Sequence, residues 1–341
     1  MSHFQPKSML VTGGAGFIGS NFIRHVLQHE PDISIINLDK LTYAGSLDNL
    51  HNLPNADRHH FVQGDICDAS LVQTLLAQYN IDTIVHFAAE SHVDRSIHSP
   101  QSFIETNVLG TFTLLEAARQ HWLVQNKRSQ NECRFHHIST DEVYGSLQPE
   151  DPAFTETTSY QPRSPYSASK AGSDHLVYAY HHTYGLPITL SNCSNNYGPY
   201  QHSEKFIPTV IRACLACETI PVYGKGNNIR DWLYVDDHCS AVMAILKNSE
   251  VGETYNIGGN NEWENLALVH YICDLIDEQA PQSKPCSSLI SFVTDRPGHD
   301  FRYAINDAKL RDTLNWQPSE CLKSGLKKTI QYHLHEPSIK L

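Results

Sequence analysis

No stretch of this sequence is apolar enough, for long enough, to cross a bilayer, and the opening MSHFQPKSMLVTGG lacks the apolar run of a secretion signal before strand-like sequence begins. Positive charge is scarce. Lys and Arg number 25 against 37 Asp and Glu, a formal net charge of -12, which disfavours nonspecific attraction to nucleic acid or an anionic membrane. A local basic pocket for a small phosphate is compatible with that balance. The nine cysteines show no secreted-type disulfide framework, which predicts a reducing, cytoplasmic setting. Cys214-x-x-Cys217 has metal or redox spacing, but no second pair follows and the surroundings read as an amphipathic helix, so buried free thiols are expected there. Histidine doublets begin at His59, His136 and His181 without HExxH or other ligand spacing, so packing or surface histidines and no metal site are expected. Repeats and low-complexity linkers are also lacking. With 40% apolar and 18% charged residues in 341, the composition is that of a globular protein of one large or two smaller domains.

Short β-rich runs alternate with helical patterns from the first residues. KSMLVTGG, ISIINLDK, HHFVQGDI, DTIVHFAAE and RFHHISTDE read as strands separated by amphipathic segments, and PITLSNCSN as a further strand. That alternation predicts an α/β fold, a Rossmann-type doubly wound parallel sheet with crossover helices. A long helix is predicted from Pro165 through Tyr184, capped by Ser164, with Pro165 at its first position and Gly185 closing it. After about Asn196 the elements shorten, with a helix near Leu266 to Gln279 and a last segment from Ile290. The expected organisation is a dinucleotide-binding domain over 1–196 and a smaller mixed α/β substrate domain over 197–341, with 232–260 able to return to the first.

Gly13-Gly14-Ala15-Gly16-Phe17-Ile18-Gly19 lies where a strand ends and a helix begins. Glycines there permit a tight turn and let the N–H groups of the helix start approach a pyrophosphate, where the helix dipole also favours negative charge. Asp39 closes the second strand about 20 residues on, where a carboxylate bonds both ribose hydroxyls and repels a 2′-phosphate; NAD is favoured over NADP. Tyr166 and Lys170 form Y-x-x-x-K, and residues four apart share a helical face, so the ammonium can favour the phenolate and make it a base. Thr140 can donate to the same reacting oxygen. Alone, such a pair is usually a surface feature; the nucleotide fingerprint and the intervening Thr reverse the odds. Asp141 and Glu142 follow Thr140 directly. A plain dehydrogenase has no use for them, whereas an elimination needs one group to remove a carbon-bound proton and one to protonate a departing hydroxide. Strict strand alternation would send Asp141 to the face opposite Thr140 and Glu142. If all three serve one substrate, the chain must leave strand geometry at Asp141.

These residues resemble the extended short-chain dehydrogenase/reductase superfamily over almost the whole chain. Within it STDEVYG, FAAESHVDRSI, SNNYGP, RDWLYVDDH, IGGNNEWEN and DRPGHDFRYAI are similar to the dTDP-glucose 4,6-dehydratase family. The resemblance implies a lyase that removes water from dTDP-glucose through bound NAD, giving a 4-keto-6-deoxy sugar. Tyr166 takes the 4-hydroxyl proton, Glu142 the C5 proton, and Asp141 protonates the C6 hydroxyl. It implies that Gly13, Gly16, Phe17, Ile18 and Gly19 hold the dinucleotide, that Lys40 and Thr42 join Asp39 at the adenosine ribose, and that Asp65 and Ile66 hold the adenine. Phe87, Ala88, Ala89 and Ser91 line the cofactor, Thr106 lies on a helix beneath it, and Tyr166 and Lys170 touch it. For the substrate it implies Ser91, Thr140, Asn195, Lys205, Phe206, Asn265, His299 and Tyr303, with Pro221 and Tyr223 against the base. Arg230 is the natural diphosphate clamp because its planar donors bind two oxygens at once. A homodimer through helices near 100–120 and 165–184 is implied too, and FIETNVLGTFTLLEAA is apolar on more than one stripe, as burial on two sides requires. Gln201-His202-Ser203 and Phe206 depart from the family pattern, which leaves a UDP-, CDP- or GDP-sugar as an alternative substrate, beside a catalytically silent NAD-binding scaffold.

Overall fold

The structure is a computed structural model and describes residues 4–295 and 298–335. Arg296 and Pro297 of the DRPGHD motif lie outside them. The first strands are β1 (Ser8–Thr12), β2 (Ser34–Asp39), β3 (His59–Gln63), β4 (Thr83–His86), β5 (Arg134–Thr140) and β6 (Ile188–Cys193). They are followed by β7 (Asn195–Tyr197), β8 (Ile220–Tyr223), β9 (Ile229–Tyr234), β10 (Thr254–Ile257), β11 (Glu262–Glu264) and β12 (Ile290–Val293). Seven form one all-parallel sheet in the order β10-β6-β5-β4-β1-β2-β3. The order reverses between β1 and β4, so their carboxyl ends open a crevice there, the place where doubly wound sheets bind ligands.

Helices cover both faces of this sheet, which is why β5 is buried at every residue, its two histidines included. On one side α1 (Phe17–His29) packs Phe22, Ile23, Val26 and Leu27 into a core shared with Val242, Ile245 and Leu246. On the other, α2 (Ala69–Gln78) lies beside a long composite helix: α3 (Val93–His98), α4 (Pro100–Phe103), a wide π-helical segment Ile104–Gly110, α5 (Thr111–Ala118) and a second wide segment Arg119–Gln125. Next to it runs α6 (Pro165–Tyr184), and the three bury Leu76, Leu114, Leu115, Trp122 and Val177 together. The remaining helices are α7 (Phe206–Ala216), α8 (Val235–Asn248), α9 (Asn265–Gln279), α10 (Ala308–Leu314) and α11 (Leu322–His335). Although it lies late in the chain, α8 packs on α1, and β10 pairs with β6 at the edge of the large sheet. The three-stranded sheet β11-β9-β7 and the β12-β8 pair build a separate core with α7, α9 and α11.

The ends of α6 are those its sequence predicts. Ser164 and Ser167 bond reciprocally, side chain to backbone N–H, at 3.0 and 3.1 Å, Pro165 opens the helix, and Gly185 closes it in the left-handed region at φ 72°. The Cys214-x-x-Cys217 expectation needs a correction: Cys214 is buried on α7, 3.8 Å from Cys273, but Cys217 is exposed, because α7 ends before it and the chain turns left-handed there.

Candidate active site

The glycine turn after β1 leaves no room for side chains. A Cβ on Gly13, which sits at φ 71°, would come within 2.6 Å of the Ala88 nitrogen, and one on Gly19 within 2.3 Å of the Gly13 carbonyl. Asp39 ties this turn to β2: its Oδ2 accepts from the Ala15 N–H at 2.9 Å and its Oδ1 from the Leu41 N–H at 2.8 Å. Burial raises the Asp39 carboxyl, and these two bonds oppose the rise. The start of α1 carries no side-chain cap and no acidic residue in its first turn, so its free N–H groups keep their positive character for an anion.

A cleft runs from this turn along the carboxyl ends of the strands. Its wall contains Gly13, Gly16, Phe17, Ile18, Gly19, Asp39, Lys40, Thr42, Asp65, Ile66, Phe87, Ala88, Ala89, Ser91 and Thr106, together with Thr140, Asp141, Glu142, Tyr166 and Lys170. Every residue expected to touch the cofactor is thus on one surface. Thr106 reaches it from the π-helical segment, whose widened turn displaces side chains from α-helical register. Lys40 lines the cleft beside Asp39, and its Nζ pairs with Asp65 Oδ2 at 2.6 Å.

The strand does end at the carboxylates. β5 stops at Thr140, and Asp141–Tyr144 form a single 3₁₀ turn. The turn rotates Asp141 out of strand alternation, and Thr140, Asp141 and Glu142 all line the cleft that holds Tyr166 and Lys170. Asp141 is buried, and its carboxyl is held well above the ordinary range, first by burial, then by the charges of Glu142 and Asp231. Burial therefore favours its protonated form. Burial and then the charge of Glu142 also push the Tyr166 phenol well up, while a bond from Thr140 opposes. The sequence predicts a phenolate favoured by Lys170; in the structure Lys170 shares the helical face but directs Nζ to the Ile138 carbonyl at 2.8 Å, and burial lowers its own pKa.

A second cleft joins the first across Ser91, Glu142, Asn195 and Lys205. Phe206, Pro221, Tyr223, Arg230, Asn265, His299 and Tyr303 line it, so the expected substrate residues also share one surface. Arg230 is buried and aimed by backbone: its Nη1 donates to the Ile229 and Phe301 carbonyls at 2.7 and 3.2 Å and its Nη2 to that of Asp300 at 2.9 Å. The Tyr303 ring lies 4.2 Å from the guanidinium, and its hydroxyl donates to Asp300 Oδ2 at 2.5 Å. Residues that sequence reasoning missed surround these: Arg95 binds Glu204 at 3.0 Å and stacks 3.6 Å from the Tyr43 ring, and Arg163 reaches Asp300 Oδ1 at 3.2 Å. Arg95 lay inside a quoted motif, but no spacing rule joins it to Glu204, 109 positions away. The departing loop is ordered by contacts of its own, His202 edge-on to Tyr43 and Phe206 stacked on Trp232.

The model of the GDP-mannose 4,6 dehydratase family matches residues 10–329. A dTDP-glucose 4,6-dehydratase of Shigella flexneri is 53% identical over 334 residues, which is 96% of this chain and 92% of that protein. One from Neisseria gonorrhoeae is 54% identical over 333 residues, 96% of each. The crystal structure of the dTDP-glucose 4,6-dehydratase DesIV from Streptomyces venezuelae, with NAD and TYD bound, superposes with a TM-score of 0.88 at 43% identity, covering 98% of this chain and 100% of that one. With the glycine turn, the carboxylate turn and the Tyr–Lys helix on one continuous cleft, this chain belongs to the dTDP-glucose 4,6-dehydratase family of the extended short-chain dehydrogenases/reductases.

Proposed function

We propose that this protein is an NAD-dependent dTDP-glucose 4,6-dehydratase, releasing water and a 4-keto-6-deoxy nucleotide sugar. One observation carries the reading: the 3₁₀ turn after β5 puts Asp141 and Glu142 on the same cleft as Thr140, Tyr166 and Lys170. NAD, held on the glycine turn with Asp39 at its ribose, would take the hydride from C4 and return it at C6. The chain's own groups move the protons. The Tyr166–Lys170 pair accepts the 4-hydroxyl proton while Thr140 holds that oxygen. The resulting ketone acidifies the C5 hydrogen, which Glu142 removes as a proton and, after exchange with solvent, returns to C5 when the hydride arrives at C6. Asp141, whose protonated form burial favours, gives its proton to the departing C6 hydroxyl. Arg230 grips the diphosphate with the donors its backbone carbonyls leave free, and Asn265, His299, Tyr303 and the Pro221–Tyr223 strand surround the nucleotide.

The same reading places residues 1–196 with β10 and α8 in a cofactor domain and most of 197–341 in a substrate domain, in a cytoplasm that keeps the nine thiols free. It takes the working unit as a homodimer, since exposed Ile104, Leu109 and Phe112 lie on the composite helix alongside α6. Incubating the protein with dTDP-glucose in heavy water tests the chemistry. Loss of water, deuterium at C5 and no net reduced cofactor are expected; unchanged dTDP-glucose beside turnover of a GDP-, UDP- or CDP-sugar would replace the substrate, and inertness toward all of them would sink the enzyme.

A further inference from the structure

Behind the Tyr166–Lys170 pair lies a buried carboxylate that the reaction described above does not use. Tyr166, Lys170 and Asp174 recur every four residues on α6, so all three face β5 in one stripe. Asp174 is fully buried. Its Oδ2 accepts from Ser139 at 2.7 Å. Its Oδ1 lies 3.1 Å from His137 Nε2 yet makes no hydrogen bond of its own, which leaves a buried acceptor unspent. The same Nε2 is 3.4 Å from Lys170 Nζ. His137 therefore stands between an ammonium that donates and a carboxylate that accepts, with the Ser173 hydroxyl also 3.2 Å from that nitrogen, which serves one of the three at a time.

We propose that Asp174 is the buried counter-ion of Lys170 and, through it, a positioning residue for the Tyr166 base. The inference rests on the proposed roles of Tyr166 and Lys170. Its logic is electrostatic: burial pushes the phenol up and the ammonium down, which brings the two proton affinities together, so the proton the pair surrenders can come from either member. If it leaves the ammonium, the pair holds a neutral phenol beside a neutral amine that faces the Ile138 carbonyl, and no phenolate. A negative charge on the lysine side keeps the ammonium and makes the phenol the donor. Lys170 is the foremost influence opposing the burial that lifts Asp174 to about 6, as the pairing requires. Other titratable groups facing the pair are His86 on β4, His137 on β5, Cys193 on β6, Asp141, Glu142 and Tyr144 on the 3₁₀ turn, Tyr160 in the segment before α6, and His175 and Tyr178 on α6. Burial pushes His86 and His137 down, which favours their neutral forms and leaves Asp174 as the acidic group beyond Lys170 on the α6 stripe.

The test is the titration of the Tyr166 phenolate by ultraviolet difference absorbance, taken against Tyr166→Phe in each background, with kcat followed over the same pH range. Asp174→Asn should lower kcat about tenfold or more with KM nearly unchanged, since base function and not binding is lost. Without the anion the cationic, fully protonated pair is less stable, so the pair's first proton loss moves to lower pH while the phenolate share of it shrinks. A double variant, Ser139→Ala with Tyr160→Phe, removes two hydroxyl donors from Asp174 and raises its proton affinity; the same shift, smaller, is expected there even if Asp174→Asn fails to fold. A fall in kcat with the phenolate titration unmoved in both variants would overturn the inference and leave Asp174 a structural residue. Full turnover by Tyr166→Phe would instead remove the proposed base itself.

Discussion

Asp141 combines a chemical use with a cost to the fold. Its folded-state pKa is raised, so the stability it permits is present below the ordinary carboxyl range and is lost as pH rises toward the folded value. Asp141→Asn removes the ionisation and should stabilise the protein by about 1 kcal/mol near pH 7, the range found when strained site residues are relaxed, with no gain near pH 4. Turnover should fall at least about 10²-fold because the proton donor is gone. Urea unfolding at the two pH values, set beside the rate, checks both; equal stability at both would mean that the carboxyl is not held up. At this scale the sequence was informative where residue types and spacing carry chemistry: the glycines, Asp39, the carboxylate pair and Y-x-x-x-K all reach one cleft. It was silent on Lys40 pairing with Asp65 and on Arg95 with Glu204, because each pair joins two segments distant in sequence that meet only in the fold. It could not show the burial around the phenol, since spacing reveals the neighbouring cation and not the protein packed about it.

Helix α6 positions the Tyr–Lys pair, and its C-terminus tests whether its boundaries act as the sequence implies. Gly185 has φ 72° and nothing within 4 Å of a would-be Cβ, so Gly185→Ala meets backbone strain and no clash. A loss of about 1 kcal/mol is expected, read as a lower urea midpoint at unchanged slope, with kcat per folded molecule unaltered. A larger loss, or one that reaches kcat, would show that the helix end communicates with the site. The strands β1 to β6 and α6 were legible because period-two runs, capping serine, proline and glycine are local signals. Helices near 100–120 were expected too, but not the register breaks between Pro100 and Gln125. The two π-helical segments of the composite helix shift the hydrophobic stripe by a residue each, so buried Phe103 and Leu114 alternate with exposed Ile104, Leu109 and Phe112 in a pattern no single period describes.

Those exposed side chains matter for the molecule as a whole. Ile104, Leu109, Phe112, Val124 and Tyr184 are between 42% and 53% exposed, and Phe112 and Tyr184 each pack on Tyr180, so the composite helix and α6 carry one continuous apolar and aromatic face. Single exposed hydrophobics are ordinary, whereas a larger apolar face marks an interaction surface, and the proposed homodimer would bury this one by setting it against its own copy. The helices that would meet are those that carry Thr106 to the cofactor cleft and Tyr166 and Lys170 to the reacting centre, so burial of this face would also stiffen the site from behind. Leu109→Glu with Phe112→Glu places two charges on the face without touching either cleft. Light scattering should give a dimer for the parent and a monomer for the variant, with the circular dichroism of the fold retained. Turnover per chain should drop in the monomer as α6 loses its support, whereas a monomeric parent, or a variant that stays dimeric, would assign the face to something other than self-association.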